Sequence, residues 1–165
     1  MTFWTESTLS PTRQFRFKVS NGSGGWWWAS SCSKPSYDIN TEEYKLINHK
    51  YKYPGVLTWN DITLTIVDTG DKTFELYNKL QFTGYQPFGQ GIAGDGISKS
   101  LSAANLRNGS DFLIDQIDAD GSLVEQWKLV NPFIKSTNFG ELDYSSDDLV
   151  KLELVISYDY AEFNI

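Results

Sequence analysis

One cysteine, one histidine and one methionine occur in 165 residues. Cys32 alone excludes an intramolecular disulfide and a zinc site built from several cysteines. His49, flanked by Asn48 and Lys50, has no second histidine with which to share a metal or form a triad, so packing between strands or solvent exposure is expected for it. Cations are scarce: 14 Lys and Arg against 21 Asp and Glu give a formal net charge of −7 and a pI of about 4.6. That balance argues against a nucleic-acid binder that neutralises phosphates with cations. No apolar run approaches the ~20 residues that span a bilayer. Residues 1–14 lack the basic stretch followed by an apolar run that marks a secretory signal. Helical periodicity is also rare, confined to one convincing stretch.

Aromatic residues, in contrast, make up 15% of the chain, six of them Trp, and such side chains favour strands. Hydrophobic content of 40% with 21% charged residues is that of a folded globular chain, and the length suits one domain over residues 1–165. Residues 131–163 dominate the pattern. Val150, Leu152, Leu154, Ile156, Tyr158 and Tyr160 fall on one face, while Lys151, Glu153, Ser157 and Asp159 fall on the other, broken only by Val155. Period-two alternation predicts one half-buried strand over 150–160. At the usual rise it would span roughly 35 Å.

Residues 1–12 read as an N-terminal arm. Residues 13–19 alternate, with Phe15, Phe17 and Val19 on one face. A Gly- and Asn-rich turn over 21–25 follows, then Trp26, Trp27 and Trp28, so 13–31 is predicted as a hairpin. Residues 32–40 read as irregular, 44–53 as a further strand or hairpin, and 61–67 as a strand with Ile62, Leu64 and Ile66 on one face. Residues 72–82 switch to helical spacing through Phe74, Tyr77 and Leu80, joined by Leu76. Asp71 is the expected N-cap and Gly84 the expected stop. Residues 85–109 form a long Gly- and Ser-rich loop, a length usually tied to function or to a partner. Strands over 112–117 and 123–130 are joined by Asp118-Ala119-Asp120-Gly121, a hairpin turn. The count is about seven strands, one helix and one long loop.

Apparent chemical motifs reduce to structure. Gly89, Gly91 and Gly94 carry dinucleotide-fingerprint spacing, but Pro87 precedes them and no strand–helix context surrounds them. Asp118 and Asp120 begin a calcium-loop pattern that lacks its third acid and terminal glutamate. The acids Asp115, Asp118, Asp120, Glu125, Glu141, Asp143, Asp147 and Asp148 contain no pair that spacing marks as catalytic, and a solvated acidic surface is expected. Because Trp26, Trp27 and Trp28 are adjacent, Trp27 must face opposite to the other two in a strand. At least one ring then leaves the core unless both faces are covered.

The order of features resembles the tail tube protein family of contractile-tailed bacteriophages, including tube-like proteins of phage-derived injection systems. Two stretches carry the resemblance. One runs from Trp127-Lys128-Leu129 through Asn131-Pro132-Phe133 and Asn138-Phe139-Gly140-Glu141-Leu142 to the alternating strand ending in Asp159-Tyr160. The other is GVLTWNDITLTIVD, from Gly55 to Asp68, followed by a helix. Residues 55–160 match well and the first fifty only loosely, and the Trp triplet lies outside the family's pattern.

The resemblance implies a mainly β fold, two antiparallel sheets packed as a sandwich or small barrel with one short flanking helix. It implies a non-enzymatic structural protein without cofactor or metal, which forms stacked hexameric rings. Its partners would be copies of itself, the tail sheath and the baseplate. DNA would pass through the lumen without specific binding, no membrane would be involved, and the tail would be assembled in the host cytoplasm. In that setting Phe3, Trp4, Trp26, Trp27, Trp28, Phe88, Ile92 and Leu101 become candidates for contacts between subunits. Asp115, Glu125, Glu153 and Asp159 become candidates for an acidic lumen wall that repels the duplex. Within the same class stand a tube initiator or baseplate variant and an injection-system inner tube. A carbohydrate-binding β-sandwich using exposed Trp residues is the alternative from another class, and a carboxylate hydrolase is the weakest reading.

Overall fold

The computed structural model describes residues 12–21, 29–85, 96–99, 102–103, 106 and 111–164. Among them are ten strands and one helix: β1 (Phe17–Ser20), β2 (Ala29–Cys32), β3 (Tyr37–Leu46), β4 (His49–Trp59), β5 (Ile62–Val67), α1 (Lys72–Phe82), β6 (Phe112–Ile117), β7 (Leu123–Val130), β8 (Phe133–Asn138), β9 (Lys151–Ser157) and β10 (Tyr160–Asn164). One antiparallel sheet has the order β1-β6-β7-β10, a second β2-β5-β9-β8, and β3 and β4 form a two-stranded ribbon. The fold is mainly β, as expected, and among the described residues the sheets do not close into a barrel.

The core lies where the two sheets bring their apolar faces together. Val19, Phe112, Ile114 and Leu129 come from the first sheet, and Ile62, Leu64, Ile66, Leu152, Leu154 and Ile156 from the second. In β5 and β9 the period-two pattern translates directly: Ile62 opposes Ile156, Leu64 opposes Leu154 and Ile66 opposes Leu152, all buried. Burying each such side chain contributes roughly 1.5–3 kcal/mol. The β6–β7 hairpin has its predicted bounds, and its turn relies on Gly121 at φ +84°.

Three expectations fail. First, β1 and β2 are not a hairpin. β1 pairs with β6 and β2 with β5, so the two strands belong to different sheets. Second, residues 32–40 are not irregular throughout, since β3 begins at Tyr37. Third, the long terminal strand is two strands. β9 ends at Ser157, the chain turns at Tyr158 and Asp159, and β10 joins the other sheet. Tyr160, expected inside, is 46% exposed, whereas Tyr158 is buried at the turn.

The partner strand bends at the same place. β7 leads through Asn131 and Pro132 into β8, so both strands change sheets together. Val130 opposes Tyr160 and Phe133 opposes Ser157. Three positions separate each pair on either strand, so the register runs through the corner unbroken. Residues 123–138 and 151–164 are therefore one long antiparallel hairpin folded around a corner and shared by both sheets.

Helix α1 has its predicted bounds, but a different face is buried. Leu76 is in the core, while Phe74 is 69% exposed and Tyr77 and Leu80 are also exposed. Asp71 occupies the N-cap without a side-chain capping bond. Its carboxylate accepts from Thr69 Oγ1 instead. The start is tied by Asp68, which accepts from Gly70 N and Thr73 Oγ1, each at 2.9 Å. Gly84, at φ +105°, ends the helix as expected, and a Cβ there would lie 2.2 Å from Gly96 O. The segment read as a long loop is not loop throughout: Lys99, Ser102, Ala103 and Leu106 are helical, Ser102 N donates to Ser98 O, and Ala103 and Leu106 are buried.

Candidate functional site

The most prominent surface feature is the β3–β4 ribbon. Every residue of β3, and every residue of β4 except Trp59, is exposed. Its base is anchored: Tyr37 opposes Trp59 with ring centroids 5.5 Å apart, and Trp59 packs 6.0 Å from Tyr158 at the corner. Asn60 adds Nδ2–H bonds to Ser36 Oγ at 3.3 Å and Asp38 Oδ2 at 2.9 Å. Beyond this base the ribbon leaves the sheets.

Opposed residues in an antiparallel pair share a face, which divides the ribbon sharply. Near the base, Tyr37 and Trp59, then Ile39 and Leu57, form an apolar face. A bulge follows at Ile39/Thr41, opposite Pro54 and Gly55, where the ladder shifts by one residue. Past the bulge, the face continuing from Ile39 is charged. It carries Glu43 opposite Lys52 and Lys45 opposite Lys50, with Lys50 Nζ 3.2 Å and Lys52 Nζ 3.8 Å from Glu43. The apolar residues have moved to the other face. Tyr44 opposes Tyr51, Glu42 opposes Tyr53 and Leu46 opposes His49. Tyr44 is 61% and Tyr53 57% exposed. His49 is exposed at the end of β4 and lies edge-on to Tyr51 of the same strand at 4.7 Å, so of the two placements expected for it the exposed one holds. At the tip, Ile47 is 98% exposed at φ +22°.

A groove of about 390 Å³ lies between α1 and β8, lined by Leu76, Lys79, Leu80, Phe133, Ile134 and Phe139 among others. β8 is the last strand of its sheet. Burial lowers the Lys79 ammonium pKa, against the opposing pull of Glu75. Beyond β8, residues 139–149 expose Leu142, Tyr144 and Leu149 beside Glu141, Asp143, Asp147 and Asp148.

A second cleft, about 820 Å³, is lined by Phe15, Phe17, Cys32, Lys34, Gln116, Glu125 and Trp127 among others. Glu125 Oε1 accepts from Lys34 Nζ at 2.7 Å and from Trp127 Nε1. Lys34 also donates to Gln116 Oε1. Burial pushes the Glu125 carboxyl up, but these donors outweigh it and hold its pKa below the usual value. Burial raises the Cys32 thiol pKa to about 12. Among the described residues no group of three or more His, Cys, Asp or Glu could hold a metal ion, and no helix is long and apolar enough to cross a membrane.

The four acidic candidates do not share a face. Asp115 opposes Gln126, and its carboxylate accepts from Gln126 Nε2 at 2.9 Å on the outer side of the first sheet. Glu125 opposes the buried Gln116 and turns inward. Glu153 is exposed on the outer side of the second sheet, opposite Thr65. Asp159 sits at the corner, held by Lys99 and Asn131. Phe3, Trp4, Trp26, Trp27, Trp28, Phe88, Ile92 and Leu101 lie outside the described residues. The ribbon residues Tyr44, Leu46, Tyr51 and Tyr53 escaped the sequence reading. Their signal is a mirrored alternation about the two-residue turn Ile47-Asn48.

Two packed antiparallel sheets with a protruding, exposed ribbon define a mainly β protein. The chain belongs to the family of T4-like virus tail tube protein gp19, whose pattern matches residues 13–162. Its fold is similar to that of a chain in the anti-feeding prophage cap, the tube-terminating cap, at 19% identity and TM-score 0.71, covering 96% of this chain and 94% of that one. A chain of the PVC sheath/tube terminator of an extracellular contractile injection system, in the extended state, has 22% identity and TM-score 0.72 over 96% and 100%. A chain of the PVC sheath–tube complex has 24% identity and TM-score 0.68 over 95% and 93%. No curated protein matches this chain.

Proposed function

We propose that this chain is an inner-tube subunit of a contractile tail or a related injection system. It assembles without catalytic activity into stacked hexameric rings whose lumen passes DNA. The observation that carries the reading, beside family membership, is the β3–β4 ribbon. An isolated two-stranded ribbon is marginal in water, and this one extends ten- and eleven-residue strands from the sheets with nearly every residue exposed. Contact with other copies is what would cover it. Both four-stranded sheets are antiparallel throughout, so their two edges run in opposite directions. Head-to-tail repetition around a ring would then continue the alternation and remove free edges. Sheath and baseplate proteins are the further partners. Phe3, Trp4, Trp26, Trp27, Trp28, Phe88, Ile92 and Leu101 are assigned to subunit contacts. Asp115 on the outer face of one sheet, Glu153 on that of the other, and Asp159 at the corner are separate candidates for an acidic wall along which DNA slides, according to which face lines the lumen.

Negative-stain microscopy of the purified protein at high concentration should reveal rings or tubes of uniform diameter. A protein that stays strictly monomeric sinks the reading. A tube-terminating subunit is the second reading, because one similar chain comes from a tube-terminating cap and another from a sheath/tube terminator. Copy number in the intact particle separates the two: many rings for a tube subunit, one for a cap.

A further inference from the structure

We infer that the groove between α1 and β8 is a binding site for a single-chain anionic amphiphile, a medium-chain carboxylate, whose alkyl tail lies between helix and strand and whose head meets the Lys79 ammonium. The inference goes beyond the tube reading and does not rest on it. Three observations carry it: where the groove opens, what lines it, and which charge stands in it.

The groove opens onto the core. β8 is the last strand of its sheet. Ile134 opposes Ile156 and Thr137 opposes Leu154, and both partners are fully buried. Opposed residues share a face, so Ile134 and Thr137 lie on the core side of β8. Leu76 and Leu80 of α1 form the facing wall. The helix fills this place incompletely: Leu76 is buried, but Leu80 remains 39% exposed. A bulge between Ile134 and Ser136 bends the strand at the same wall. The volume left, about 390 Å³, falls within the range of small-molecule sites, roughly 300–1,000 Å³.

The lining suits an alkyl chain. Leu76, Leu80, Ile97, Leu106, Ile134 and Phe139 supply it. Two hydroxyls among the lining residues are already turned to the backbone. Thr83 Oγ1 donates to Leu80 O at 2.6 Å, and Ser102 Oγ donates to Ser98 O at 2.7 Å. These two protons are not offered to a ligand.

The charge in the groove is positive, although the chain carries −7. Lys79 and Lys135 both line it. Lys135 is 60% exposed and bonds Asp61 at 2.6 Å. The Lys79 side chain is only 14% exposed, and burial lowers its pKa. Its Nζ stands 4.0 Å from Glu75 Oε1, while the other oxygen of Glu75 accepts from Lys72 at 2.8 Å. An ammonium has three donors, so Lys79 can take a further anionic oxygen and keep the bonds it has. A carboxylate head would offset the desolvation of this cation. A neutral head would not, and a cationic one would be repelled.

The test titrates unassembled full-length protein calorimetrically with octanoate, decanoate and dodecanoate, each below its micellar concentration. One molecule should bind per chain, and each added methylene should tighten binding by about two- to four-fold. Decyltrimethylammonium, with the same tail length and the opposite charge, should bind about ten-fold more weakly than decanoate or worse. Lys79→Met should weaken decanoate by about ten-fold and leave decanol unchanged, and Lys79→Arg should restore the difference. If Lys79→Met does not fold, the comparison of head groups on the unsubstituted chain decides alone. Several molecules per chain, equal binding of both head groups, or an unchanged decanoate affinity in Lys79→Met overturns the site. So does adsorption to phosphatidylglycerol vesicles without binding of free decanoate, which would make the surface a membrane contact. Repeating the titration on assembled rings or tubes separates this site from the tube reading. Binding confined to the unassembled chain shows that a neighbouring copy fills the groove, and overturns the inference while the tube reading stands. One-to-one binding by a protein that forms neither rings nor tubes supports the site and overturns the tube reading.

Discussion

Asn131 Nδ2 donates a hydrogen bond to Asp159 Oδ2 at 3.0 Å, across the corner where both strands of the long hairpin pass from one sheet to the other. Asp159 N bonds Val130 O at 3.0 Å, and Lys99 Nζ bonds the second carboxylate oxygen of Asp159. Asn131 takes φ +50°, a conformation that asparagine tolerates and β-branched residues resist. Asn131→Val should therefore destabilise the monomer by about 1–2 kcal/mol from backbone strain, and further by loss of the bond to Asp159. Asn131→Gly should lose the side-chain bond alone. Urea denaturation of unassembled protein distinguishes the two.

Asp159 also sets part of the acid response. Its pKa is held below the usual aspartate value first by the bond from Lys99 and then by Asn131. Asp61 is likewise lowered, chiefly by Lys135, which it bonds at 2.6 Å. A carboxyl depressed in the folded state stabilises above its unfolded pKa, about 3.9, and that contribution is lost as pH falls through the folded value. Melting temperature should therefore drop as pH is lowered below about 4. Asp159→Asn should lower it at pH 7 and narrow the gap between pH 7 and pH 3. An unchanged gap would show that the corner takes no part in acid unfolding.

The alternation that made residues 150–160 legible also concealed the corner. Leu152, Leu154 and Ile156 are buried as their parity demands. Yet the same parity continues through Tyr158 to Tyr160, because the register does not slip at the bend. A change of partner sheet leaves no mark on local period when the ladder is continuous. Only Asn131-Pro132 on the opposite strand hints at it. The β6–β7 hairpin was readable because its turn chemistry, Asp118 to Gly121, is local. Of the ribbon, only residues 44–53 were readable as a strand or hairpin, which β3 and β4 bear out; its full length was not, because its apolar residues change face and blur any single pattern. As for the acids, strand parity placed Asp115 and Glu125 correctly only once their cross-strand partners were known.

The corner separates two substitutions that alternation alone would treat alike. Leu154, fully buried opposite Leu64, should cost about 2–5 kcal/mol on truncation to alanine, and Leu154→Asp should abolish folding. Tyr160→Asp, past the bend and half exposed, should leave a folded protein. Circular dichroism and thermal melting of the three variants provide the comparison.

Cys32 should behave as an inert thiol. Burial raises its pKa to about 12, and the thiolate is the reactive form. Alkylation by iodoacetamide at pH 8 should be many-fold slower in the native protein than in urea. The sign for stability follows: the folded state retains the proton more tightly. The thiol's contribution is present below the unfolded pKa, about 8.5, and declines as pH rises toward 12. Rapid native labelling would contradict the raised pKa of this partly buried thiol.

Glu125 distinguishes a structural acid from a wall acid. The family resemblance implies a place for it on the lumen wall with Asp115, Glu153 and Asp159, but its position opposite Gln116 turns it toward the cleft between the sheets. There it accepts from both Lys34 and Trp127. Removing its charge weakens two bonds and leaves Lys34 without its ion-pair partner. A charged hydrogen bond is worth about 1.5–3 kcal/mol, discounted here because Lys34 is half exposed. Glu125→Gln should therefore lower stability by about 1 kcal/mol without changing transport through an assembled tube. Glu153→Lys, on the exposed outer face, should leave stability within about 0.5 kcal/mol. If that face lines the lumen, it should retain DNA in the tube in a salt-dependent manner. Melting curves and DNA-release assays on the two variants should thus give opposite patterns. The same pattern for both would remove the distinction between the inward and outward acids.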